Sequence, residues 1–140
     1  MEQVYIDSNV FIYASLANDE IGDDARKIIN AVSKGKIRGY KTTLGYDETI
    51  YHLKKKLDEE TFQDVVDAFL DIDFLTFLSI GKEDVLVSKE YVLNGFQPRD
   101  SLHIAACINN DIDVLISEDL DFETIEDITA LDIEKAVEMV

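Results

Sequence analysis

The chain has 140 residues, 46% of them apolar, and its 30 acidic side chains against 13 basic ones give a formal net charge of −17. That length and composition suit one globular domain with its own core, 1–140, and no stretch nears the roughly 20 apolar residues that cross a bilayer. The acid excess argues against a general nucleic-acid binder, because phosphate contacts rely on Lys and Arg; it suits a basic partner, a halophilic source or a very soluble protein.

The chain opens on a buried strand, Val4 to Ile6, that ends at Asp7, with a short helix from Asn9 to about Leu16. Asn18-Asp19-Glu20 reads as a turn. Gly22 to Ser33 is a helix whose Ala25, Ile28, Ile29 and Val32 share one face, closed by Gly35. Arg38 to Thr42 is a second strand. Leu44 to Leu57 and Asp58 to Leu70 are helices, the first ending in Lys54, Lys55 and Lys56, where the dipole favours cations. In the second, Phe62, Val65, Val66 and Phe69 are expected to face inward. Asp73 to Ile80 reads as a strand and Glu83 to Leu93 as a helix. Pro98 starts the next helix, which runs to about Asn109 and carries Cys107 as a small buried residue. Val114 to Ile116 is an apolar strand ending at Ser117. A last short strand falls between Ile128 and Ile133, followed by a helical turn or a frayed tail. Apolar strands alternating with amphipathic helices predict a parallel sheet covered on both faces, an α/β/α sandwich. The start lacks a basic region followed by an apolar core, and a single cysteine makes no internal disulfide, so a reducing, cytoplasmic setting is expected.

About one residue in five is acidic, so acid pairs arise by chance and position must separate them. Asp71/Asp73 and Asp111/Asp113 precede strands, at the edge where ligands are not expected in an open parallel sheet. They read as turn residues. Asp119/Asp121 follows a strand, at the same carboxyl edge as Asp7. Glu48, early in the third helix, and Asp100, in the first turn of the helix after Pro98, reach that edge as well. Carboxylates gathered there cannot all stay ionised without compensation, and no lysine cluster lies nearby in sequence. A divalent cation is the simplest counter-charge. Oxygen-only ligands suit Mg²⁺ or Mn²⁺, and a carboxylate-held Mg²⁺ with open water positions suits phosphoryl chemistry.

Four stretches in this order resemble the motifs of the PIN-domain family of metal-dependent ribonucleases, which includes the VapC toxins. They are Asp7-Ser8-Asn9-Val10-Phe11-Ile12, Glu48 six residues after Thr42, Arg99-Asp100-Ser101-Leu102-His103-Ile104-Ala105-Ala106, and Leu115-Ile116-Ser117-Glu118-Asp119-Leu120-Asp121-Phe122. Each is weak alone; the combination spans almost the whole chain. The resemblance implies a Rossmann-like sheet in the order 3-2-1-4-5, which sets Asp7 beside Asp119. It implies an endoribonuclease acting on RNA, expected to be single-stranded, with Mg²⁺ or Mn²⁺ as cofactor. Asp7, Glu48, Asp100 and Asp119 would form the metal site. Asp121 would serve nearby as ligand or behind one, and Asn9 and Ser117 would orient ligands or a bound water. Arg99 is a candidate phosphate contact. A basic antitoxin segment is the partner that would reconcile the charge of −17 with this reading. A homodimer is also implied, with apolar residues on the helices of 44–70 as its surface.

Plainer roles stand beside these. Asp7 or Ser8 can cap a helix, and Asp119 can cap a short one at Asp121-Phe122. Asp47 competes with Glu48. His103 reads first as a structural hydrogen-bonding partner, and the three adjacent lysines as a solvated helix end. Two other functions compete: a non-catalytic PIN-like module that binds protein, and a haloacid-dehalogenase-type phosphatase. The phosphatase needs a second Asp two residues after the first, where Asn9 stands, and a later Lys that is missing near the fourth motif.

Overall fold

The computed structural model describes residues 1–140. Alternate side chains of β1 (Glu2–Ile6) enter opposite layers, as the two-residue repeat of a strand requires. Val4 and Ile6 join one apolar cluster with Val10, Phe11, Ile28, Val32 and Ile133. Tyr5 joins the other, with Ile104, Cys107, Leu115 and Phe122. A strand buried on both sides is the centre of a three-layer sandwich.

The elements follow as α1 (Ser8–Leu16), α2 (Glu20–Ser33), β2 (Ile37–Thr42), α3 (Thr43–Lys56), α4 (Glu59–Leu70), β3 (Leu75–Leu78), α5 (Lys82–Leu93), α6 (Pro98–Asn109), β4 (Val114–Ile116), a 3₁₀ turn (Leu120–Thr124), β5 (Thr129–Leu131) and α7 (Ile133–Ala136), with a closing 3₁₀ turn at Val137–Met139. All strands are parallel, in the order β3-β2-β1-β4-β5. The expected topology therefore holds. β1 and β4 pair Tyr5 with Leu115 and Ile6 with Ile116, so both strands end at the same level, at Asp7 and Ser117.

Several boundaries differ for local reasons. Asp19 and Asp58 cap α2 and α4 with side-chain hydrogen bonds, so α2 begins two residues before the expected Gly22. The strand expected over Asp73 to Ile80 is only Leu75–Leu78. Phe74 takes a positive φ of 63° and its ring lies against Gly35, itself at φ 75°, so the chain turns there before it can pair. In α4 only Phe69 is buried, stacked on Phe11 with ring centroids 4.5 Å apart; Phe62, Val65 and Val66 are half-exposed. Exposed apolar side chains gather on α5, at Val85, Leu86, Val92 and Leu93, more than on α3 and α4, where Tyr51 and Leu70 are the large ones. No helix is long and apolar enough to cross a membrane.

Candidate active site

Asp7 is the last residue before α1, and its Oδ1 accepts from the Ser8 N–H at 2.8 Å. The capping role is thus real, but it uses one oxygen only. Oδ2 accepts from the Ser117 hydroxyl at 2.7 Å. Ser117 Oγ in turn accepts from Asn9 Nδ2 and from the Asp119 N–H, both at 3.0 Å, while Asn9 Oδ1 accepts from the Glu118 N–H at 3.2 Å. Asn9 Nδ2 also stands 3.5 Å from Asp7 Oδ2. Adjacent strands thereby lock the first and fourth motifs into one lattice, and Asn9 and Ser117 hold the backbone and carboxylate of the site. Asp119 Oδ1 accepts from the Asp121 N–H at 3.0 Å, so it caps the 3₁₀ turn as the plainer reading allowed. Asp121 is exposed and lines a shallow depression with Asn94, Gly95, Phe96 and Thr124.

Glu48 sits one helical turn into α3, and its Oε1 lies 2.7 Å from His103 Nε2. An ionised Glu48 assigns the proton to Nε2, leaving Nδ1 facing the hydroxyls of Tyr5 at 2.9 Å and Thr42 at 3.0 Å. His103 is fully buried and bridges three elements, in keeping with a structural hydrogen-bonding role. Asp47 is exposed, so Glu48 is the acid that turns inward.

Lys41 was missed by the sequence reading, and it corrects one step of that reading. No lysine adjoins the acids in sequence, yet the fold buries Lys41 completely beneath them. Its ammonium donates to Ser8 Oγ at 3.1 Å, lies 3.5 Å from the Ile6 carbonyl and 4.7 Å from the centroid of the Phe11 ring. The signal was parity. Lys41 falls in phase with Ile37 and Gly39, the buried side of β2, but the strand is too short for alternation to single it out. Gly45 makes room for it: a Cβ there would stand 3.2 Å from Lys41 Nζ, Thr42 Oγ1 and Tyr5 Oη.

The charges divide the site into two flanks. Burial lowers Lys41 to about 8 against the pull of Asp7 and Glu48. Burial also works against the charge of Glu48, but the hydrogen bond and charge of His103, with Lys41 and Arg99, outweigh it and hold Glu48 below the usual range. Asp100 is the opposite case: burial, then the charges of Asp7 and Asp119, raise its carboxyl to about 6, with Glu48 adding to the effect and His103 opposing it. Asp7, Asp119 and Glu48 therefore all act on Asp100, against the single opposing influence of His103. No three His, Cys, Asp or Glu side chains are grouped closely enough to hold a metal ion. The donors are all hard oxygens on rigid strand ends and helix starts, a set that fits Mg²⁺ or Mn²⁺.

The sequence matches the PIN domain family over residues 4–128. No curated protein matches it in sequence. Among solved structures it resembles VapBC2 from Rickettsia felis bound to a promoter DNA fragment, with TM-score 0.72, 16% identity, 93% of this chain and 98% of that one covered. It also resembles DNA-bound VapBC from Salmonella typhimurium, with TM-score 0.72, 21% identity, and coverage of 95% and 99%. VapC20 of Mycobacterium tuberculosis, a sarcin-ricin-loop-cleaving toxin, superimposes with TM-score 0.71 at 11% identity over 89% and 96% of the two chains.

Proposed function

The chain belongs to the PIN domain family, and from that premise we propose that it is a metal-dependent endoribonuclease that hydrolyses phosphodiesters of single-stranded RNA. The observation that carries the reading is the meeting of acids at the sheet's carboxyl edge: Ser117 ties the carboxylate of Asp7 to the backbone of Asp119, and Asp100, half-buried beside them, is raised by burial and by the charges of Asp7, Asp119 and Glu48. A cluster so under-compensated is matched by a dication. Held by Asp7, Asp100 and Asp119, with Asp121 at the rim, Mg²⁺ or Mn²⁺ would supply an activated water and stabilise the charge of an in-line displacement.

The protein's own groups divide the remaining work. Ser117 and Asn9 fix the carboxylate of Asp7 so that one oxygen keeps its direction. Glu48, kept ionised and aimed by His103, is suited to accept a proton from the attacking water. Arg99 is exposed and near enough to Glu48 to act on its charge, and it would be the side chain to meet the phosphate. A toxin role with a basic antitoxin fits the acidic surface. An apolar groove of about 460 Å³ lined by Phe11, Ala14, Ile29, Val65, Phe69 and Ile72 could seat the antitoxin's apolar side chains. Self-association would use exposed apolar side chains, of which α5 carries Val85, Leu86, Val92 and Leu93.

The test is cleavage of a labelled single-stranded RNA with Mn²⁺. Asp7→Asn and Asp100→Asn should each abolish cutting while the circular dichroism stays native; full activity in either variant would sink the assignment. Tight Mn²⁺ binding by calorimetry separates this nuclease from a non-catalytic module of the same fold.

A further inference from the structure

Helix α3 carries more than Glu48 on the face that leaves the site. Tyr51, His52 and Lys55 follow Glu48 at spacings of three, four and seven, so all four lie within about 100° of arc on one side of the helix. The opposite side, with Thr49 and Leu53, is buried. Tyr51 is 59% exposed although it is a large aromatic residue. Lys55 Nζ sits 4.0 Å from the centroid of its ring, and His52 stands edge-on with ring centroids 5.9 Å apart. The Tyr51 ring therefore carries a cation against one face, and more than half of the residue stays open to solvent.

The charge distribution makes this face unusual. Only 13 bases serve 140 residues, and Lys54, Lys55 and Lys56 are the longest run of adjacent bases. That run lies along the helix that supplies Glu48, with Arg99 near Glu48 at the other end. From Glu48 to Lys55 the helix rises about 10 Å, the length of one or two nucleotides of an extended strand.

We propose that the Tyr51, His52 and Lys55 face of α3 is the track for the single strand flanking the cleaved bond, with Tyr51 stacking on a base and Lys55 meeting a phosphate. This rests on the nuclease reading and adds where the substrate lies. An aromatic platform beside lysines is how single strands are held without sequence preference, because every base has a face to stack. Acids outnumber bases 30 to 13 in the chain, so a short basic track beside the acidic site favours this face for a strand. Tyr51 and Lys55 are binding residues here and do not touch the reacting atoms.

The test is fluorescence anisotropy of a labelled oligouridine with the Asp7→Asn protein in Mg²⁺, titrated at several salt concentrations. Tyr51→Ala should weaken binding about ten-fold, and Tyr51→Phe should restore it, since stacking needs only the ring. Lys55→Gln should weaken binding several-fold and flatten the slope of log affinity against log salt by about 0.7. Lys34→Gln, at the far edge of the sheet, should change neither. Wild-type affinity in both Tyr51→Ala and Lys55→Gln, the result expected if this face serves a protein partner, overturns the proposal, as does an absence of oligouridine binding. Mn²⁺ cleavage by the unsubstituted chain is scored separately. Its absence with weakened binding in the variants would overturn the nuclease reading and leave this face of α3 as a strand-binding surface only.

Discussion

His103 Nε2 and Glu48 Oε1 lie 2.7 Å apart although 55 residues separate them in the chain. The imidazole is fully buried and its other nitrogen faces Tyr5 and Thr42, so it joins β1, β2, α3 and α6 at one point. His103→Ala would leave a buried cavity and unpaired hydroxyls, and should cost about 3 kcal/mol in urea unfolding. His103→Gln should recover part of that stability. It should still lower cleavage about ten-fold, because the shorter amide does not hold Glu48 in place. Equal activity in His103→Gln and wild type would show that Glu48 needs no such support.

Lys41 is a buried ammonium with few partners. Its folded pKa of about 8 lies below the ordinary 10.5, so the unfolded chain binds the proton more tightly. The penalty is full below pH 8 and is relieved as pH rises from about 8 towards 10.5. Lys41→Met, similar in length and apolar, should raise stability at pH 7 by about 1–3 kcal/mol and remove this alkaline rise. It also deletes a positive charge beneath the acids, so Mn²⁺ should bind several-fold more tightly by calorimetry. Unchanged Mn²⁺ affinity would mean that Lys41 only fills space.

Asp100 has the reverse linkage. Its carboxyl is raised to about 6, so the folded chain holds this proton where the unfolded chain has lost it. Its contribution to stability is present below about pH 4 and lost as pH rises through 6. In EDTA at pH 7, Asp100→Asn should therefore melt a few degrees higher than wild type. Adding Mn²⁺ should raise the wild-type Tm and leave the variant nearly unmoved. A variant that melts lower than wild type in EDTA would contradict the repulsion described for this flank.

Gly45 tests the room under the site. A methyl group there would press on Lys41, Thr42 and Tyr5 at 3.2 Å each, in a region without slack. Gly45→Ala should cost about 1–2 kcal/mol by overpacking and reduce cleavage through the displaced start of α3. Thermal melts and cleavage rates measured together would show whether the two effects go in step.

The sequence alone determined the order of the elements, the parallel sheet and the edge at which Asp7 and Asp119 lie. Apolar runs such as Val114 to Ile116 and the Pro98 start of α6 are local signals, and the carboxyl-edge rule sorts Asp7 and Asp119 from Asp73 and Asp113 without coordinates. Where a boundary moved, as at Phe74, the cause was a backbone turn closed against Gly35, a contact between distant residues. Only the tertiary structure decided which charges meet. Lys41 is isolated among β2 residues in the chain, and the fold sets it under Asp7 and Glu48. His103 looked like any histidine one turn after an aspartate until α6 packed beside α3. Patterning along a chain records which side of an element is apolar. Electrostatic compensation depends on distances across elements, and only packing fixes those.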